Sequence, residues 1–221
     1  MSAEQYVSAS VKNVEESLAK SGLRLPSKCY TPSASHYHPE LEITPELKID
    51  VIQTYQEYVG ILRWVVELGR VEINVDVSCN AQGGTPTTGL QMFGYLKLHP
   101  KRKIAFDPQH PKVSEKLSKR HDCNNFYRDV KEAIPGDMPV PRGNPMTAHC
   151  FVDASHGSDK STRQLQTGIL IFCNRTPIIW FSKRQNTVET STFGNEFQAM
   201  KNAVDLIKAF YYKLRMFGVP I

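Results

Sequence analysis

The residue types best suited to metal-assisted or acid–base chemistry lie in the last third of the chain. The stretch "AHCFVDAS" alternates apolar residues as a strand does and ends on Asp153. The stretch "TSTFGNEFQAMKNAVDLIKAFYYKLRMFGVPI", from Thr190, has the period of a helix. Steps of about 100° per residue put Phe193, Met200, Ala203, Ile207, Phe210, Tyr211 and Leu214 in one apolar stripe. Gln198, Lys201, Asp205, Lys208 and Tyr212 fall on the opposite face. Glu196 sits among the apolar set, almost in line with Ile207 and Leu214. A lone carboxylate there is costly unless something satisfies it. Two readings fit. Glu196 favours the positive end of the helix, capped by Ser191 or Thr192, and curls out to water. Alternatively, Glu196 faces Asp153 and the two acids hold a metal ion.

The elements that must position these acids follow from the patterns around them. "TGILIFCN" and "PIIWFSKRQ" read as strands joined by a turn at "RTP". With "AHCFVDAS" they make three antiparallel strands, and the long helix lies across them. An acid ending the first strand and an acid in the first turns of the helix approach each other in that layout. Upstream, residues 3–20 form a helix with Tyr6, Val7, Val11, Val14 and Leu18 on its stripe and Gly22 as its stop. A second helix begins after Thr44-Pro45, carries Ile52, Tyr55, Val59, Leu62 and Val66, and ends near Gly69. "VEINVDVSC" suits helix or strand, "GGTPTTG" reads as a flexible joint, "LQMFGYLKLHP" as a short helix and "KRKIAFD" as a strand. The proline-rich residues 107–147 read as a tether with a short helix near Phe126 to Ala133.

Other polar candidates are weaker. His36 and His38 lie in a Pro/Ser-rich loop with no acid or cysteine cluster to complete a zinc site. His121 and Cys123 lack a third group that would make them a catalytic pair. Lys101, Arg102 and Lys103 are a basic run that would contact phosphates beside a duplex. The net charge of +5 suits a polyanionic partner. Five scattered cysteines without a CxxC argue against a disulfide framework and point to a reducing, intracellular location. No run is apolar and long enough for a transmembrane helix, and the opening "MSAEQYVSASVKNVEESLAK" is polar and helical rather than a signal peptide.

The segments "YQEYVGILRWVVELGR", "FVDAS", "QTGILIF", "IIWFSKRQNTVETST" and "NEFQAM" together resemble the C-terminal part of a copia-type LTR retrotransposon Pol polyprotein. The resemblance covers nearly the whole chain. It implies a reverse transcriptase thumb and connection region over residues 1–106, a tether over 107–147 and the opening half of a ribonuclease H domain over 148–221. The implied fold class is α+β: a helical thumb/connection-like region followed by an incomplete ribonuclease H-like unit of three antiparallel strands and one long helix. The family's first metal-binding aspartate matches Asp153, and its helix glutamate matches Glu196. The implied chemistry is two-metal hydrolysis of the RNA strand of an RNA–DNA hybrid, with Mg²⁺ (or Mn²⁺) as cofactor. Lys183, Arg184 and Gln185 would then lie near the hybrid backbone, and the 2′-hydroxyl would distinguish RNA from DNA.

The departures from that pattern shape the expectation. The family's third and fourth ligands come after the long helix, and the sequence ends at "FGVPI". Asp205 falls on the far side of the helix and Asp159 in a solvated loop, so neither replaces them. The paired aspartates of the polymerase palm do not occur. Two carboxylates scarcely fix two cations. The expected function is therefore a non-catalytic Pol segment that binds nucleic acid weakly. The alternative is a ribonuclease H that works once the missing strands are supplied. The first strand, central in that fold, would have an open edge with Phe151 beside it. The family's setting implies a cytoplasmic particle or the nucleus.

Overall fold

The computed structural model of the chain describes residues 3–33, 49–80, 86–112, 133–155, 166–185 and 191–221. Within them the protein is mixed α+β, with five α-helices and an open three-stranded antiparallel sheet. The helices are α1 (Glu4–Lys20), α2 (Ile49–Glu67), α3 (Asn74–Asn80), α4 (Pro86–Leu98) and α5 (Thr192–Met216). The strands are β1 (Ala148–Ala154), β2 (Gln166–Cys173) and β3 (Thr176–Arg184).

The helical core forms because α1 and α2 carry apolar stripes and α4 is buried on all sides over residues 92–96. Val7, Val11, Val14 and Leu18 of α1 are buried at helical spacing. They meet Tyr58, Leu62, Val65 and Val66 of α2 and Met92, Phe93 and Leu96 of α4. Burying a side chain such as Leu62 or Phe93 contributes about 1.5–3 kcal/mol. The rings of Tyr58 and Phe93 meet edge to face, 5.7 Å apart. Gly22 and Gly69 stop α1 and α2 at positive φ (69° and 103°), where a side chain would be strained. The α2 stripe differs from the expected one, because Ile52 is exposed and Tyr58 and Val65 are buried instead. The core covers only the C-terminal half of that helix.

One upstream alternative is decided and two expectations change. "VEINVDVSC" resolves as a 3-10 turn (Val71–Ile73) followed by α3. "GGTPTTG" is not all joint: Pro86 opens α4, and Thr88 and Gly89 are buried inside it. A Cβ on Gly89 would already touch the Tyr55 ring at 3.4 Å, so this glycine serves packing. "KRKIAFD" forms only a single-residue β-bridge, at Lys103, and no extended strand. Its Ile104 packs against Gly69 instead, beside Pro177, Ile178 and Trp180 of β3. The start expected for the second helix, after Thr44-Pro45, lies outside the described residues, and so does most of the short helix expected near Phe126.

The described parts of residues 107–147 have no helix or strand, and both ends are fastened. Asp107 is held at the β2–β3 turn: its N–H donates to Thr176 Oγ1 (2.8 Å), and its carboxylate meets Arg175 at 3.1 Å. The turn itself needs Asn174 at φ 53°, a conformation asparagine tolerates well. Arg142 and Met146 donate N–H bonds to the carbonyls of Gly218 and Pro220, 2.8 and 2.9 Å away.

The sheet order is β1-β2-β3, so β1 is an edge strand among the described residues. Alternation along the strands sorts their side chains to two faces. One face carries Ala148, Cys150, Val152, Ile169, Ile171, Cys173, Ile179 and Phe181, and packs under α5 with Ala203 and Phe210. The other face carries Ser182 and Trp180, and receives the helical region. Ser78 of α3 donates to Ser182 O (2.9 Å), Gln166 Nε2 donates to Ser78 Oγ (2.7 Å), and Trp180 joins the helical core.

Two glycine substitutions test this packing. Gly94 of α4 faces Cys29 and Pro26, and a Cβ there would sit 2.6 Å from Cys29 Sγ and 2.8 Å from Pro26 O. Gly94→Ala should destabilise the protein by about 1–3 kcal/mol in urea unfolding. Gly60 of α2 is exposed with nothing near its Cβ position. Gly60→Ala should stabilise by roughly 0.5–1 kcal/mol. Equal effects from both would contradict the helix placements.

Candidate nucleic-acid interface

Helix α5 starts where its sequence allows a cap. Ser191 is extended, and its hydroxyl accepts the Gly194 N–H at 3.0 Å. The sheet covers only the middle of the apolar arc. Ala199, Ala203 and Phe210 are buried, with Leu206, Ile207 and Leu214 beside them. Phe193 and Met200, expected in the covered stripe, are 78% and 53% exposed. They continue through Phe197 and Val204 as a separate apolar flank. The opposite flank carries Gln198, Asn202 and Asp205, and it faces β3.

Between that polar flank and the C-terminal end of β3 lies a cleft of about 460 Å³. Lys183, Arg184, Gln185, Gln198, Asn202 and Asp205 line it, over a floor of Thr167, Phe181 and Leu206. Gln185 is its anchor, at 6% exposure. Its Nε2 donates to Thr167 Oγ1 (2.9 Å) and to the carbonyl of Asn195 (3.3 Å). Its Oε1 is buried and accepts no bond among the described residues. Gln198 Nε2 donates to Asn202 Oδ1 at 3.2 Å, which orders the helix side. Lys183, Asp205 and three amides make this a polar cleft rather than an apolar one, while Arg184 alternates to the other face, where its charge reaches Cys79 of α3. Asp205 stays on the far side of the helix from Glu196, and there it borders the cleft. Gln198, Asn202 and Asp205 recur at i, i+4 and i+7, a polar stripe whose partner the sequence alone does not reveal.

The expected meeting of Asp153 and Glu196 is not what the pleat of β1 provides. Asp153 pairs in register with Gly168, and Val152 with Ile169. Val152 packs in the layer under α5, so alternation turns Asp153 to the other face, with His149 and Phe151. Asp153 is exposed. Glu196 is half-buried on the sheet-facing arc of α5, seven residues before Ala203. The two acids therefore point into different surroundings. Among the described residues, no group of three or more His, Cys, Asp or Glu side chains could hold a metal ion.

The remaining candidates are dispersed. Lys101, Arg102 and Lys103 are exposed; Lys101 approaches Glu4 at 4.0 Å, and Arg102 lies over the Tyr95 ring at 5.6 Å. Ile104, next to them, packs by Pro177 at the start of β3. The six-residue rise from Pro177 to Lys183 is about 20 Å, so the two basic groups do not form one patch at the cleft. Cys29, Cys79, Cys150 and Cys173 are free thiols, and burial pushes each above the ordinary thiol range. They are poor nucleophiles near neutral pH. His36, His38, His121, Cys123 and Asp159 lie outside the described residues. Among the described residues, no helix is long and apolar enough to cross a membrane. Comparison with protein-family models, curated proteins and solved structures finds no match.

The anchoring role of Gln185 is open to measurement. Gln185→Leu should cost about 1–3 kcal/mol in urea unfolding, because Thr167 and the Asn195 carbonyl lose a buried donor. A change under about 0.5 kcal/mol, the size of an ordinary surface substitution, would show that the anchor is not formed.

Proposed function

We propose that the chain is a nucleic-acid-binding segment of a copia-type retrotransposon Pol polyprotein and does not itself cleave nucleic acid. The observation that carries this reading is the cleft between β3 and α5. It gathers Lys183, Arg184 and Gln185, the three residues that the family resemblance assigns to the nucleic-acid backbone, beside Gln198 and Asn202. Lys183 supplies sequence-independent attraction to phosphates, and the amides of Gln198 and Asn202 offer bonds to sugar hydroxyls or base edges. The partner is an RNA–DNA hybrid or another nucleic acid. The placement of Asp153 and Glu196 on different layers supports a binding role over hydrolysis, since two-metal cleavage needs several carboxylates converging on one centre.

One observation favours a second reading. β1 has an open outer edge among the described residues. A further strand paired there could bring additional carboxylates and turn the unit into a Mg²⁺-dependent ribonuclease H. The two readings separate experimentally. Binding to a short RNA–DNA hybrid should weaken steeply with salt, and Lys183→Ala should reduce the slope of log K against log salt by about 1. Cleavage in Mg²⁺ or Mn²⁺ should stay at background. Salt-independent binding, or none, would contradict the binding role. Metal-dependent cleavage abolished by Asp153→Asn would establish the hydrolytic reading instead.

A further inference from the structure

The outer edge of β1 and the uncovered flank of α5 lie side by side. Ser155 N–H donates to Gln166 O, and Asn174 N–H donates to Thr147 O. The odd-numbered residues on this register therefore exchange their backbone bonds with β2. The even-numbered residues Ala148, Cys150, Val152 and Ala154 turn their N–H and C=O groups to the outer edge, which no described strand pairs. Above that edge runs the α5 flank of Phe193, Phe197, Met200 and Val204, opposite the flank that borders the cleft at β3. Phe151, at the middle of β1, is 61% exposed on the lower face.

We infer that this edge is the interface of a homodimer, formed by antiparallel pairing of β1 with β1 of a second copy about a two-fold axis at Phe151. The sequence of β1 complements itself in that register. Phe151 meets its own mate. His149 falls opposite Asp153 of the second copy, and Asp153 opposite the second His149, so two acid–imidazole pairs flank one aromatic pair. These are the non-hydrogen-bonded positions of the new ladder, where side chains come closest. The imidazole can donate to the carboxylate whether it is neutral or charged. On the other face Cys150 meets Val152, and the two small residues Ala148 and Ala154 meet at the ends. The result is one continuous six-stranded sheet, with both α5 helices on one face and their apolar flanks turned toward each other. A strand edge unpaired among the described residues, an exposed aromatic at its centre, an acid matched to an imidazole on each side and an adjacent apolar flank all find partners in a single isologous contact. This inference does not rest on the nucleic-acid reading.

A charge-exchange experiment tests it. The native 25.0 kDa chain should sediment as a dimer. His149→Asp places acids opposite acids, and Asp153→His places imidazoles opposite imidazoles, so each variant alone should dimerise at least tenfold more weakly. Mixed in equal amounts, the two should recover the dimer, because every cross-strand pair is then acid against imidazole. A second variant does not depend on weakening anything: Phe151→Cys should form an intermolecular disulfide under mild oxidation, since the mates face each other at the axis. A monomeric native chain, as expected if another segment covers β1, would overturn the inference. So would single variants that dimerise normally, a mixture that fails to recover, or no covalent dimer from Phe151→Cys.

Discussion

The pleat of β1 is the constraint on which the C-terminal third depends. A strand that packs one face against a helix must send every second side chain the other way. Cys150 and Val152 go under α5, so His149, Phe151 and Asp153 cannot. A slip of one residue would bury Asp153 and expose Val152, which the apolar layer of Ile169, Ile171 and Phe210 opposes. The same alternation therefore fixes the hydrophobic core, keeps the two acids in separate surroundings and leaves an aromatic and polar row along an open edge.

Helix α5 carries three surfaces. Its central arc joins the core, its polar flank closes a cleft with β3, and its apolar flank reaches past β1. The cleft exists because α5 lies mainly over β1 and β2, leaving the end of β3 uncovered on that side. There Gln185 ties the strand end to the helix start through Asn195 O, so the cleft is shaped by buried bonds as well as by surface side chains. On the sheet's other face, α3 grips β3 through Ser78, and Trp180 enters the helical core. The two regions that the sequence separates by a proline-rich stretch thus share packing in the described residues.

Much of this is legible in the sequence. Strand alternation and turn residues mark β1, β2 and β3, and helical period marks α1, α2 and α5, with Ser191 as a cap and Gly22 and Gly69 as stops. These signals are local and act over a few residues. What is not legible depends on where one element ends relative to another. The apolar arc of α5 is wider than the sheet beneath it, so period alone does not tell covered Ala203 from exposed Phe193. The polar stripe of Gln198, Asn202 and Asp205 looks the same whether it meets water or the end of β3. Asp153 at a strand end and Glu196 in an early helical turn suggest convergence, but the face that Asp153 takes is set by which neighbours the core recruits. "KRKIAFD" has strand-like composition, yet it forms only a bridge at Lys103 and Ile104 packs against Gly69.

The separation of the two carboxylates can be measured directly. Mn²⁺ titrated into the labelled protein broadens the NMR signals of nuclei near any bound ion. Asp153 and Glu196 should show no common, saturable broadening, and Asp153→Asn should leave the Glu196 signals unchanged. Joint broadening of both residues at one equivalent of Mn²⁺, lost in Asp153→Asn, would contradict their separation.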